Sequence, residues 1–349
     1  MIQAVINNQI LDAVIEIEKN KSSLDLVKIP PNLSNRFRKN TRKRSSYASN
    51  RIEGNPLTYE QAEAAMESKP RHFLKPEQEI RNYYLALELL EKKLENHAPL
   101  SMELLLEVQR QICDGEPKEK IGFRKAMPAG VLFAVWNEDN TPAYIPPEHQ
   151  EIKALIQELL DYVERSTDHP LIKAAIIHYQ LVTIHPFEDG NGRTARIVSG
   201  YYLSLCGYGF KNIGSFEEYI SYDIEEYYAS LQMGLPVLYY DGRNNPPHPE
   251  IWITYFLRIF RLYTSKVLAI ALKETSDNEA ERLSHLSEKE RTFLSYLKEN
   301  NIRLFAPIEL SKKLNVSNRT IINWCAKLST NGYLRPMLVN KRVRQYQVL

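Results

Sequence analysis

His185-Pro186-Phe187-Glu188-Asp189-Gly190-Asn191-Gly192-Arg193-Thr194-Ala195-Arg196 concentrates an imidazole, acidic side chains, two glycines, an amide and two guanidinium groups in one short run. Ahead of it, His178 to Ile184 continues an apolar-periodic stretch, and behind it Ile197 to Leu205 resumes helical periodicity. The segment therefore reads as helix, short loop, helix. The loop delivers its glycines at the start of the second helix, where unpaired N–H groups and the helix dipole favour an anion. Gly190 and Gly192 let the backbone approach that anion closely. Arg193 and Arg196, three apart, share one face of the first turn. Two cations at that end oppose the helix dipole, and a polyphosphate would supply the missing negative charge. Asp189 is a natural magnesium ligand, a hard oxygen beside phosphate oxygens. His185 is the group able to accept a proton near neutral pH.

Two rival readings are weaker. Gly190 to Ala195 formally matches the dinucleotide pattern G-x-G-x-x-A, but that pattern needs a preceding strand and βαβ units, which the sequence lacks. A metal site of His178, His185 and Asp189 would cross a loop without further ligands nearby. His178 is read as structural.

The stretch resembles the Fic family signature, H-x-F-x-(D/E)-G-N-G-R-x-x-R. His185, Phe187, Asp189, Gly190, Asn191, Gly192, Arg193 and Arg196 all fit it. The resemblance, from about Pro30 to about Leu235, implies an adenylyltransferase that moves AMP from ATP onto a hydroxyl of a target protein. It implies His185 as the base, Asp189 holding Mg²⁺, and Gly190, Asn191, Gly192, Arg193 and Arg196 on the phosphates. A second motif, Ser49-Asn50-Arg51-Ile52-Glu53-Gly54, is similar to the (S/T)-x-x-x-E-(G/N) inhibitory helix of the same family. Ser49 and Glu53 share a helical face, and Gly54-Asn55-Pro56 stops the helix. By resemblance Glu53 would pair with Arg196 and take the place that the ATP γ-phosphate needs. Gly122-Phe123-Arg124 opens a third region, running through Val131, Leu132 and Phe133 to Pro146-Pro147. Its apolar run, polar turn and Pro-Pro exit predict a β-hairpin or extended flap. It resembles the family flap that pairs with an extended target segment, with Val131, Leu132 and Phe133 as docking residues. Tyr228, in Glu225–Leu231, matches a helix that walls the adenine pocket.

The 349 residues suit two or three domains. Charged residues at 25% and hydrophobic residues at 43% are ordinary for a soluble globular protein. Cys113, Cys206 and Cys325 are far apart and odd in number, which argues against a disulfide framework or zinc ribbon. Met1 to Lys19 lacks a signal-peptide core, and no apolar run reaches membrane-span length. A cytoplasmic protein with no membrane partner is the expectation, and a homo-oligomer is compatible with it.

The expected fold is mainly α: a Fic-type helical core with a β-hairpin flap, plus a small C-terminal winged-helix domain. The expected divisions are 1–100, a helical region carrying the inhibitory helix at about 45–54; 101–235, the catalytic core; 236–280, a bracing helix (Glu250–Leu272) and a linker at Thr275–Glu279; and 281–349, the winged helix-turn-helix. In that last part three helices precede two short strands, with Ile321, Ile322, Trp324 and Leu328 read as facing inward. From Asn301 to Leu349 nine basic residues face one acid, a net of +8. This suits DNA, with Ser317, Asn318, Arg319 and Asn323 on a recognition helix and Lys341, Arg342 and Arg344 as wing contacts. A protein-interaction module is the other reading of that domain. The basic run Arg36 to Arg44 reads as a solvated helix face rather than a nucleic-acid site. At the level of function, a DNA-binding regulator with a nucleotide-sensing Fic module, another nucleotide, or removal of AMP stand as alternatives.

Overall fold

The computed structural model describes residues 3–68, 73–131, 133–136, 141–233, 235, 246, 248–339 and 342–349. The chain divides into two units, Met1–Ala271 and Leu272–Leu349. The fold is mainly α, as the periodicity predicts.

In the larger unit, α1 (Asn8–Leu26) is capped by Asn7, and α2 (Pro31–Ile52) starts on a proline at its first position, where a missing N–H costs nothing. Glu53 caps the end of α2, and Gly54 follows at φ +82°, a left-handed stop that favours glycine. Then come α3 (Tyr59–Glu67), held by a Thr58–Gln61 capping box, α4 (Lys75–Glu95) and α5 (Met102–Ile112). Strands β1 (Val135–Trp136) and β2 (Pro142–Tyr144) form a short antiparallel pair, as expected for the flap. Leu132 and Asn137–Asn140 lie outside the described residues.

Next are α6 (Ile152–Arg165), α7 (Pro170–Ile184), α8 (Asn191–Leu205), α9 (Phe216–Ile220) and α10 (Ile224–Gln232). Helix α7 is buried on all sides, from Leu171 to Ile184 with only Val182 partly exposed. A helix apolar all round belongs in a core, and α7 packs against both α6 and α8. The last helix of this unit, α11 (Pro249–Ser284), presents Trp252, Phe256, Phe260 and Tyr263 at helical spacing. Trp252 is fully buried, and its indole N–H donates to the Ala175 carbonyl of α7 at 2.7 Å.

The division between units falls within α11, after Ala271. Thr275–Glu279, read as a linker from its polarity, is therefore helical. No Gly or Pro interrupts residues 272–284, so α11 continues through this polar stretch. The smaller unit continues with α12 (Glu288–Glu299), β3 (Leu304–Phe305), α13 (Pro307–Leu314), α14 (Asn318–Thr330), β4 (Leu334–Val339) and β5 (Arg342–Val348). Its three-stranded sheet has the order β3-β5-β4, antiparallel throughout. Phe293, Leu297, Phe305, Ile321, Cys325, Leu328 and Tyr346 form its core. Trp324 packs against that core from a half-buried position. Ile322, expected inside, is instead 42% exposed. Buried Ile321, Cys325 and Leu328 lie three to four residues apart, so α14 has one inward stripe and Ile322 lies off it.

Candidate functional site

The signature loop joins α7 to α8. His185 caps α7 in the left-handed conformation, φ 48° and ψ 58°, while its N–H still bonds the Leu181 carbonyl at 3.2 Å. That conformation strains a residue with a Cβ by about 1–2 kcal/mol. Its Nδ1 lies 3.3 Å from the Val182 carbonyl oxygen, an atom that can only accept. In the neutral ring Nδ1 therefore carries the hydrogen, and Nε2 keeps the lone pair needed by a proton acceptor.

Gly190, at φ +83°, opens α8. The Asn191 side chain clamps the loop: its Oδ1 accepts from Phe187 N–H and its Nδ2 donates to Phe187 O, both at 2.9 Å. What Asn191 can offer an anion is thus its backbone at the helix start. Behind the loop, buried Gln109 donates to the Lys120 carbonyl at 3.0 Å and to the Asp189 carbonyl at 3.4 Å. Burial pushes the neighbouring Cys113 thiol up to about 11, so it packs as a neutral group.

The two arginines are nearly buried, and their partners differ. Arg193 Nη2 donates to Asp189 Oδ1 at 2.8 Å. Arg196, only 2% exposed, donates from Nε to Ser49 Oγ and from Nη2 to Ser49 O, each at 2.9 Å. Its Nη2 also reaches Glu53 Oε1 at 2.6 Å, a charge-assisted bond. Burial opposes the charge on Arg196, but Glu53 outweighs it, so the guanidinium is held above its ordinary range. For Arg193 burial is likewise offset, by Asp189 first and Glu53 second. The Glu53 carboxylate lies against Gly192, where a Cβ would fall 2.3 Å from Oε1. The sequence-predicted residues Ser49, Glu53, Gly192 and Arg196 are thus brought together.

On these two arginines, Arg193 Nε and Arg196 Nη1 are buried without a hydrogen-bond partner among the described residues. Orphaned cationic donors beside a glycine-led helix start fit a polyphosphate. Asp189 suits a magnesium ion held jointly by one carboxylate and phosphate oxygens. Among the described residues no group of three or more His, Cys, Asp or Glu side chains could hold a metal without them.

His178 is a core residue. Its Nε2 lies 2.9 Å from Tyr227 OH, and its Nδ1 3.4 Å from Ser199 Oγ. Burial, reinforced by Arg196, depresses its pKa well below the usual value. Tyr228 presents its side chain on the outer side of α10, 46% exposed, with its OH 3.4 Å from the Ile52 carbonyl. Of the expected docking residues, Val131 is exposed and Phe133 half-buried, with the Phe133 ring 6.0 Å from His185. In the smaller unit Ser317, Asn318, Arg319 and Asn323 are exposed around the start of α14, and Arg344 is exposed on β5. Lys341 and the Arg342 side chain lie outside the described residues. One residue without an expected role stands out, Arg124, which bonds the His185 carbonyl.

Residues 99–203 match the profile of the Fic/DOC family. Over 202 residues the chain is 27% identical to a protein adenylyltransferase Fic of Drosophila virilis, covering 56% of this chain and 39% of that protein. It is 31% identical over 169 residues to the Drosophila melanogaster protein of the same name, covering 46% and 32%. The matches thus span under two fifths of these relatives' length. A crystal structure of a Fic family protein from Desulfovibrio desulfuricans G20 has the same fold, with a TM-score of 0.63 at 20% identity, covering 100% of this chain and 98% of that one. Residues 99–203 are thus similar to the Fic/DOC family, and the fold is that of the Desulfovibrio Fic family protein. No helix among the described residues is long and apolar enough to cross a membrane.

Neutral His178 gives a stability prediction. Its native pKa lies below the ordinary 6.5, so below about pH 6.5 the unfolded chain binds the extra proton and stability falls as pH drops. Above that pH the contribution is complete. Urea unfolding of His178→Gln across pH 5–7.5 should show a flatter profile than wild type, by up to ~1.4 kcal/mol per pH unit below the break. Parallel profiles would refute the assignment.

Proposed function

We propose that this protein transfers AMP from ATP to a Ser, Thr or Tyr hydroxyl of a target protein, and that α2 restrains the reaction in cis. The observation that carries the reading is the convergence of His185, Asp189, Arg193 and Arg196 around the start of α8, with Glu53 seated on Arg196. The names of the relatives support the choice of AMP.

In this mechanism the α-phosphate sits over the Gly190–Gly192 backbone, with Arg193 on the β-phosphate. Arg196 takes the γ-phosphate once Glu53 withdraws, because one guanidinium edge cannot serve a carboxylate and a phosphate together. The target hydroxyl oxygen attacks the α-phosphorus in line as His185 Nε2 takes its proton. The bond to the bridging oxygen breaks and pyrophosphate leaves. Asp189 would hold Mg²⁺, which when bound offsets phosphate charge. The flap aligns the target segment, with Val131 and Phe133 beside it, by backbone pairing that specifies little sequence. In this reading Tyr228, whose OH lies 3.4 Å from the Ile52 carbonyl at the end of α2, walls the adenine.

A second reading concerns Leu272–Leu349. The order helix, strand, helix, helix, hairpin, and the exposed Asn318, Arg319 and Asn323 on one face of α14, favour a winged helix that meets DNA through its basic surface. Arg319→Ala should weaken a gel shift on duplex DNA and flatten its salt dependence. A shift identical to wild type, or none for the wild type, would remove this reading.

With α-labelled ATP and a cell lysate, Glu53→Gly should raise AMP incorporation well above wild type, even though a carboxylate near a magnesium site is being deleted. Adding Arg196→Ala should abolish most of the gain. Adding His185→Ala instead should reduce transfer by about two to four orders of magnitude while ATP still binds. A folded Glu53→Gly protein with no more incorporation than wild type would refute the restraint, and undiminished transfer without His185 would refute the base.

A further inference from the structure

We propose that Arg124 is a positioning residue that fixes His185 in its strained conformation and couples the flap to it; the proposal rests on His185 being the base. Arg124 is 5% exposed, although it stands where the flap segment opens. Its Nε donates to the His185 carbonyl oxygen at 2.8 Å, and its backbone N–H to the Pro186 carbonyl at 2.9 Å. Its Nη2 donates to the Pro147 carbonyl, where the flap segment ends. Over the same guanidinium lies the Phe133 ring of the flap, 4.8 Å from centroid to Cζ, and that ring also faces the His185 imidazole at 6.0 Å. Phe123, one residue earlier, stacks on Phe187 at 5.7 Å and 12°. The flap's two ends and the catalytic loop therefore meet on one side chain.

The physical need is specific. A left-handed His185 persists only if its surroundings over-determine it. The peptide following His185 is oriented by its carbonyl, and a charge-assisted bond from a buried guanidinium is the strongest single restraint available there. If that peptide rotates, the imidazole swings and its bond to Val182 is lost. The planar fork of Arg124 can serve His185 and Pro147 together, which a lysine ammonium with its different donor geometry does poorly. A target strand laid along the flap would press Phe133 onto the guanidinium, so docking and alignment of the base become one event.

The test uses the full chain in a Glu53→Gly background. Arg124→Gln should lower kcat for AMP transfer by about a hundredfold, as a 1 Å misplacement can, with KM for ATP changed less than about twofold. Arg124→Lys should recover part of the loss. Phe133→Ala, which leaves the His185 carbonyl bond in place, should lower AMP incorporation into lysate proteins while the His185 tautomer stays unchanged. ¹⁵N-imidazole NMR gives a readout independent of turnover: His185 as the single Nδ1–H tautomer with Arg124 present, and a mixture of tautomers in Arg124→Gln. An unchanged tautomer and kcat in Arg124→Gln, or a loss confined to ATP binding, would overturn the proposal. If the Glu53→Gly protein transfers no AMP, the enzymatic reading fails, while the spectra still decide whether Arg124 holds the imidazole.

Discussion

The Arg196 guanidinium is buried to 2% exposure inside a helical core, and the arrangement around it follows from that fact. A charge in such a place is tolerated only when hydrogen-bonded and paired. Helix α2 meets the need from one end, with Ser49 Oγ, Ser49 O and Glu53 Oε1 all within 2.9 Å. The same helix is tethered a turn earlier, where Ser45 Oγ donates to the buried Glu217 carboxylate at 3.0 Å, which also accepts from Tyr83 and Ser215. Withdrawing Glu53 therefore disturbs a partnered cation, and a γ-phosphate is the kind of anion that can replace it. Arg196 Nη1, beside Gly192, has no hydrogen-bond partner among the described residues.

Rigidity comes from α7 beneath the loop. Its residues are buried on every side, and Trp252 of α11 bonds the Ala175 carbonyl in its middle. Against that platform the loop adopts two left-handed residues, His185 and Gly190, and Asn191 ties its span through both polar atoms of Phe187. The imidazole is thus fixed from below by α7, from within by Asn191, and from the side by Arg124. Positioning of this kind is where most of the rate of phosphoryl-type transfers arises.

What was legible in the sequence was local. Helix–loop–helix around His185 and the stop at Gly54 both depend on residues within a few positions of each other. The ion pair between Glu53 and Arg196 spans 143 positions and was reached through resemblance, not periodicity. Arg124 reads from sequence only as part of the opening of the flap region, because its partners Pro147 and His185 lie 23 and 61 positions away. Glu217 is hidden likewise, since Ser45 is 172 positions distant. Thr275–Glu279 reads as a linker from its polarity yet continues α11, because polar composition is shared by linkers and by solvated helix faces. Ile322 was misplaced because an apolar residue next to Ile321 cannot share its stripe on one helix.

If one anionic place is contested by Glu53 and the γ-phosphate, the contest should appear in binding before any chemistry. Calorimetric titration of wild type and Glu53→Ala with ATP and with ADP isolates the γ-phosphate. Wild type should bind the two nucleotides with similar affinity, because the third phosphate finds Arg196 taken. Glu53→Ala should bind ATP at least about tenfold more tightly than before, the scale of one charge-assisted bond, with ADP affinity unchanged. A strong preference for ATP already present in wild type, or an equal gain for both nucleotides, would contradict the competition for Arg196.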